Sequence, residues 1–249
     1  MLARFAIHRN GFIIEASPRI RIDERKCKGL AIMADSPRDP PISLPPIRLA
    51  VCVSGGGSTL QNLIDLIRSK KLHAEIVQVV ASRPRIEAIP KAEAAGIPLA
   101  LANRSTKSVA EFSRSVFDPI RQRKADLVIL GGFLSLLEIP PDYIGKVINI
   151  HPSLIPAFSG KGYHGKAVHE AAIQAGVKVS GCTVHFADAA YDSGPIIVQK
   201  TVPVIDKDTA ETLAARVFKA ECQALPEAIT LYADGRLKLE GRRVSVRAG

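Results

Sequence analysis

From residue 47 onward, short and almost unbroken apolar runs alternate with longer amphipathic stretches. The apolar runs are Ile47–Val53, 76–81, 126–131 and 147–150, with a weaker one at 97–102. A continuous run of this length reads as a strand buried on both faces. The stretches 59–68, 85–95 and 109–123 read as helices, the second stopping at Gly96, a natural helix C-cap. Strand–helix alternation of this kind predicts an α/β fold with an open, mostly parallel sheet flanked by helices. Residues 165–175 read as a further helix. Residues 179–187 and 195–204 read as two strands joined by the short connection 188–194, and 209–233 as a long amphipathic helix.

The two ends follow another pattern. Residues 1–46 close on a proline-rich stretch that suits neither helix nor inner strand, so a flexible N-terminal arm is expected there. Met33 is an alternative natural start. The domain proper is expected over 47–239, followed by a basic C-terminal tail over 240–249. Net charge is +10 over 249 residues, and the ends hold most of the excess. Residues 1–46 hold eight Lys/Arg against five Asp/Glu, and residues 235–249 hold five against one. A basic cleft could still favour a phosphorylated ligand. Nucleic acid is not expected as a partner, because aromatics are only 5% of the chain and Trp is absent, leaving few stacking platforms. No apolar run approaches a membrane span of roughly 20 residues. Cys27, Cys52, Cys182 and Cys222 form neither a CxxC pair nor a zinc-like spacing, and Cys52 and Cys182 sit in apolar runs. No metal site is expected, and the cysteine usage suits a reducing cytoplasm.

Candidate chemistry gathers at three places. Ser54-Gly55-Gly56-Gly57-Ser58 follows a buried strand and opens a helix. Glycines bring backbone N–H groups close to an anion, and the helix N-terminus adds partial positive charge, so a phosphate fits there. The same residues also read as a tight strand-to-helix turn, and they match neither the P-loop nor GxGxxG pattern. Asn149 and His151 lie two apart on an extended segment, so both side chains face one side of the sheet. An amide and a protonated imidazole can donate to the oxyanion of a tetrahedral adduct, and the imidazole can relay protons near neutral pH. A turn-capping Asn and a His satisfying backbone groups remain open as alternatives. Asp192 alone is a turn former. Its loop lies at the sheet edge, where a carboxylate could orient His151 and raise its pKa.

In order and spacing these segments resemble the phosphoribosylglycinamide formyltransferase family. The resemblance rests on Val53-Ser54-Gly55-Gly56-Gly57-Ser58-Thr59-Leu60-Gln61, the run from Asp126 to Phe133, Asn149-Ile150-His151-Pro152-Ser153-Leu154-Ile155-Pro156, and His185-Phe186 through Asp192-Ser193-Gly194-Pro195. It implies a Rossmann-like formyltransferase fold and a one-carbon transfer in de novo purine synthesis. The formyl group of 10-formyltetrahydrofolate, a cosubstrate, would pass directly to the amino group of 5-phosphoribosylglycinamide, with no metal required. Asn149, His151 and Asp192 would be catalytic. Gly56, Gly57, Ser58 and Thr59 would hold the substrate phosphate and Glu221 the ribose hydroxyls. The folate would lie among Leu134, Ser135, Leu136 and Leu137, Asn149, Asp188 and Asp192. The implied partners are small molecules, with neither nucleic acid nor membrane, in a monomer or homodimer.

The chain departs from that pattern at a few positions. Many relatives have Asn at the positions of Gly56 and Thr59, and Arg at the position of Ser135, which bears on how a folate glutamate tail is held. Lys161, in a glycine-rich loop, is a possible phosphate contact. Formyltetrahydrofolate deformylase, which shares the Asn-x-His…Asp constellation, is the alternative. It carries an N-terminal regulatory domain of about 80 residues, longer than the arm here.

Overall fold

The computed structural model describes residues 45–105 and 107–248. The expected arm and the alternative start at Met33 lie outside the described residues, apart from Pro45 and Pro46. Among the described residues, nine strands and five α-helices follow in order: β1 (Ile47–Val53), α1 (Ser58–Arg68), β2 (Ala74–Ala81), α2 (Ala88–Ala94), β3 (Leu99–Leu101), α3 (Val109–Gln122), β4 (Leu127–Leu130), β5 (Val147–His151), α4 (Lys166–Gln174), β6 (Val179–Phe186), β7 (Ile196–Pro203), α5 (Ala210–Ala233), β8 (Leu237–Glu240) and β9 (Arg243–Val246).

Seven strands form one sheet in the order β3-β2-β1-β4-β5-β6-β7. The first five strands run parallel. β6 then turns back antiparallel to β5, and β7 antiparallel to β6. The mostly parallel α/β architecture expected from the alternation is therefore present. Parallel β1 is buried on both faces: Leu49, Val51 and Val53 face the layer containing α1, α2 and α5, whereas Ala50 and Cys52 face that of α3. This double burial is why β1 reads as an unbroken apolar run. The chain winds outward from β1 to β3 and then returns to β4, so the order reverses between β1 and β4. In open sheets, ligands bind in the crevice outside the carboxyl ends at such a reversal.

Two capping boxes fix helix starts. Ser108 and Glu111 cap α3, and Thr209 and Thr212 cap α5, so first-turn N–H groups are satisfied locally. Within the α3 layer, fully buried Phe112 stacks on Phe133 with ring centroids 6.1 Å apart. Truncation to Phe112→Ala is expected to cost about 3–5 kcal/mol in a urea unfolding measurement, since the cavity opens beneath a rigid sheet.

Within the segment expected as a basic tail, 240–249, Arg243–Val246 forms a strand. Leu237–Glu240 and Arg243–Val246 pair as an antiparallel hairpin, with Gly241 in the turn at φ 58°. Leu237 and Val244 pack against the main core, and Arg242 donates from Nη2 to the Ser193 carbonyl at 2.6 Å. The alternation of Leu237 and Leu239, then Val244 and Val246, around a glycine is the signal that marks the strands.

Candidate active site

At the β1 carboxyl end the glycine-rich segment makes a tight turn into α1. Gly57 sits at the α1 N-cap with φ 69° and ψ 31°, and no side chain caps the helix. A Cβ at Gly57 would lie 2.7 Å from the Ala88 Cβ, so glycine is demanded by both conformation and space. Ser54 knits the neighbouring loops together. Its Oγ accepts from Ser82 Oγ at 2.6 Å and from the Leu134 N–H at 3.1 Å.

Across the reversal, β5 carries Asn149 and His151, and β6 pairs Asn149 directly with His185. The Asp188–Gly194 connection folds back over this edge. Asp188 holds it by accepting from the Ala190 N–H at 3.1 Å and the Ser193 hydroxyl at 2.6 Å. Gly194 is required because an added Cβ would collide with the Phe186 carbonyl oxygen. Asp192 adopts φ 50°, a left-handed conformation that Asp tolerates better than most residues. That twist delivers its carboxylate to the β5 pair.

Asp192 Oδ1 accepts from Asn149 Nδ2 at 3.2 Å. Its Oδ2 accepts from the Gly160 N–H at 3.0 Å and lies 3.3 Å from His151 Nδ1. The other His151 nitrogen, Nε2, faces the Phe158 carbonyl at 2.9 Å. Both ring nitrogens therefore face acceptors, and only the doubly protonated ring can donate to both. His185 Nδ1 faces the Phe186 carbonyl at 2.9 Å and must carry the proton there. Its Nε2 is then the acceptor for Asn149 Nδ2 at 3.0 Å, which orients the Asn149 amide.

His151 is only 3% exposed. Burial holds its pKa below the ordinary imidazole value, while Asp192 and the Phe158 carbonyl pull the other way. The carboxylate thus acts in the direction expected from sequence, but desolvation outweighs it, and the net shift is downward rather than upward. For Asp192 burial is outweighed, and its carboxyl lies below the usual carboxylate range, with His151 and the Gly160 N–H at Oδ2 among the groups that hold it there.

A cleft of about 790 Å³ runs from the glycine turn to this network. Gly56, Gly57, Ser58, Thr59, Leu134, Asn149, His151, Asp192 and Glu221 all line it, as does Lys161. A narrower pocket of about 50 Å³ adjoins it, lined by Ser135, Leu136, Leu137, Asp188, Asn149 and Asp192. At that volume it admits only a few waters. Asn149 and Asp192 line both spaces, so the two pockets meet at the polar network. Leu134 belongs to the larger cleft, apart from Ser135, Leu136 and Leu137.

Glu221, from α5, enters the cleft with its carboxyl pushed up to about 7 by burial. A carboxyl raised in the folded state favours the protonated form, so its contribution erodes stability as pH climbs from the unfolded value toward 7 and beyond. Glu221→Gln is therefore expected to gain about 1–3 kcal/mol at pH 8 and nothing at pH 4, measured by thermal unfolding at both values.

Sequence reasoning did not single out several cleft groups. Tyr191 accepts the Leu136 N–H at 3.2 Å, and Phe218 and Tyr163 line the cleft wall. His185 stood in a strand without a partner in view; its pairing across from Asn149 needed the β5–β6 register. Cys52 and Cys182 are buried thiols pushed up to about 12, chiefly by burial. Among the described residues, no three of His, Cys, Asp and Glu converge to hold a metal ion, and no helix is long and apolar enough to cross a membrane.

The family model described as Formyl transferase matches residues 47–229. The trifunctional purine biosynthetic protein adenosine-3 of Bos taurus is 42% identical over 195 residues, covering 77% of this chain and 19% of that protein. This chain thus spans about a fifth of the first curated relatives it matches. Phosphoribosylglycinamide formyltransferase of Bacillus subtilis is 36% identical over 185 residues, covering 73% of this chain and 92% of that one. The crystal structure of glycinamide ribonucleotide transformylase 1 from Symbiobacterium toebii superimposes with a TM-score of 0.74 at 36% identity, covering 82% of this chain and 95% of that one. With the family model spanning most of its length, and with an open sheet whose glycine turn and polar network share one cleft, the chain belongs to the formyl transferase family.

Proposed function

We propose that this protein transfers the formyl group of 10-formyltetrahydrofolate to the amino group of 5-phosphoribosylglycinamide, giving formylglycinamide ribonucleotide and tetrahydrofolate. The observation that carries this reading is the junction of two pockets at Asn149 and Asp192. Transfer without a covalent enzyme intermediate needs two substrates to meet at one set of polar groups. The larger cleft, with its uncapped helix N-terminus, suits a ribonucleotide phosphate at Gly56, Gly57, Ser58 and Thr59. Ribose hydroxyls would donate to Glu221, relieving the cost of its burial. The donor would enter through the adjoining pocket as the 188–192 segment opens.

The substrate amine attacks the formyl carbon, forming a C–N bond while the carbonyl electron pair moves to oxygen. Asn149 Nδ2 then donates to that oxyanion in place of Asp192, the more distant of its two acceptors. Protonated His151 supplies positive charge beside it. The amine proton leaves through a water held by Asp192. Collapse of the adduct breaks the bond to the folate nitrogen, which takes a proton relayed from His151. The described cysteines Cys52, Cys182 and Cys222 carry no disulfide, which suits the reducing cytoplasm where we place this reaction.

The deciding assay follows tetrahydrofolate release with and without the ribonucleotide. Release that requires the ribonucleotide and disappears in His151→Ala supports transfer. Release without it indicates hydrolysis, the deformylase reaction.

A further inference from the structure

The glycine turn is braced from behind by α2. The Ala88 N–H donates to the Gly55 carbonyl at 3.2 Å. One helical turn further on, Lys91 Nζ donates to the Gly56 carbonyl at 2.6 Å. Both peptides are trans, so each N–H points opposite to the carbonyl of its own peptide. Holding the two carbonyls against α2 therefore turns the Gly56 and Gly57 N–H groups away from it. Residues 55–59 line the cleft, and no residue of α2 does. Neither N–H has a backbone acceptor among the described residues, and no side chain caps α1. Lys91 itself lies behind the turn, in a separate groove with Gln61, Glu87 and Pro90. Glu87 Oε2 comes within 3.5 Å of the place where a Gly56 Cβ would stand. A carboxylate that close opposes an anion in the turn, and the Lys91 ammonium offsets it.

We propose that Lys91 is a positioning residue for the ribonucleotide phosphate, fixing and polarising the 56–57 peptide from behind so that the Gly57 N–H is presented to the anion. This rests on the proposed function and assigns part of its phosphate recognition to a side chain outside the cleft. A cation on a peptide carbonyl draws electron density through the amide, which makes the N–H at the other end a stronger donor. It also holds the peptide against rotation, a freedom that glycines on both sides would otherwise permit. The Gly55 carbonyl is held by a backbone N–H, so of the two contacts only that of Lys91 depends on a side chain. A merely structural tie between the turn and α2 would support the whole cleft alike, whereas a positioning role is confined to recognition of the phosphate.

The test uses Lys91→Met, which keeps the apolar stem without the ammonium, and Lys91→Arg, which keeps both donor and charge. Lys91→Met is expected to raise the ribonucleotide KM about tenfold, while kcat and the formyl-donor KM move less than about twofold. The same substrate without its phosphate, the glycinamide riboside, should lose less than about twofold in kcat/KM, because it never used the contact. Lys91→Arg is expected to recover most of the ribonucleotide KM. Lys91 is half-buried, so the melting temperature of Lys91→Met should stay within about 2 °C of wild type. Titration of ribonucleotide into each variant by calorimetry reads the same effect without turnover. A wild-type ribonucleotide KM and affinity in Lys91→Met would overturn the inference while leaving the transferase reading intact. So would an equal loss for ribonucleotide and riboside, or a rise shared by the formyl-donor KM, either of which marks a structural tie. A wild-type protein that neither binds nor formylates the ribonucleotide overturns the function reading, and the role of Lys91 with it.

Discussion

Asp192→Asn is expected to lower kcat by about 10²–10⁴-fold, with a smaller effect on either KM. The carboxylate accepts at both oxygens: Asn149 Nδ2 at Oδ1, and the Gly160 N–H with His151 Nδ1 at Oδ2. An amide of the same shape presents one NH2 group where an acceptor stood, so a donor faces a donor whichever way it is turned. The substitution also removes the charge that opposes desolvation at His151. Because Asp192 raises the His151 pKa and burial lowers it, loss of the charge drives it further down. Activity that requires protonated His151 is lost as pH rises through that pKa. The falling limb of the kcat/KM profile should therefore move to lower pH in Asp192→Asn, and an NMR titration of the His151 ring should show the same displacement. A variant with wild-type kcat and an unshifted limb would remove Asp192 from the role assigned to it.

Gly57→Ala should disable the cleft from its other end. The left-handed conformation at φ 69° costs a non-glycine residue roughly 1–2 kcal/mol. The added Cβ also lies 2.7 Å from the Ala88 Cβ and 2.9 Å from its Cα, and displacing backbone there costs about 1–3 kcal/mol more. The expected sum lowers the melting temperature by about 5–15 °C for a domain of this size. Any relief comes by shifting the turn or the start of α2, which moves the α1 N–H groups away from an anion. The ribonucleotide KM should then rise together with the loss of stability. Gly55→Ala is the control: nothing lies within 4 Å of its added Cβ, and its stability should stay within about 0.5 kcal/mol of wild type. Equal melting temperatures for the two variants would show that the turn yields freely.

The parallel half of the sheet was legible because each of its inner strands is buried on both faces, and such burial writes itself as a continuous apolar run. The antiparallel return of β6 and β7 was legible as two strands, but not in its direction. Half-buried strands such as β7 carry Gln199, Lys200 and Thr201 among their apolar residues, and direction is set by which neighbour they pair with. The C-terminal hairpin is marked only by a short alternation of Leu and Val set among five basic residues, a weak signal beside a continuous apolar run. For the site, the glycine turn and the Asn149/His151 pair were local patterns, readable from spacing alone. Asp192 stands 41 positions beyond His151, so spacing could name it as a candidate but not bring the two together.

By itself the sequence determined what local physics dictates: the order of strands and helices, the glycine turn at the first strand, and the shared face of Asn149 and His151. Resemblance across four segments added the family. Tertiary structure alone decided which groups meet. It set the left-handed turn that swings Asp192 onto the β5 edge, the register that places His185 against Asn149, and the packing that leaves His169 Nδ1 unpaired. It also decided the sign of the His151 shift. A neighbouring carboxylate can be anticipated from residue types, but desolvation depends on how closely every other element packs around the ring, and that sum exists only in the folded chain.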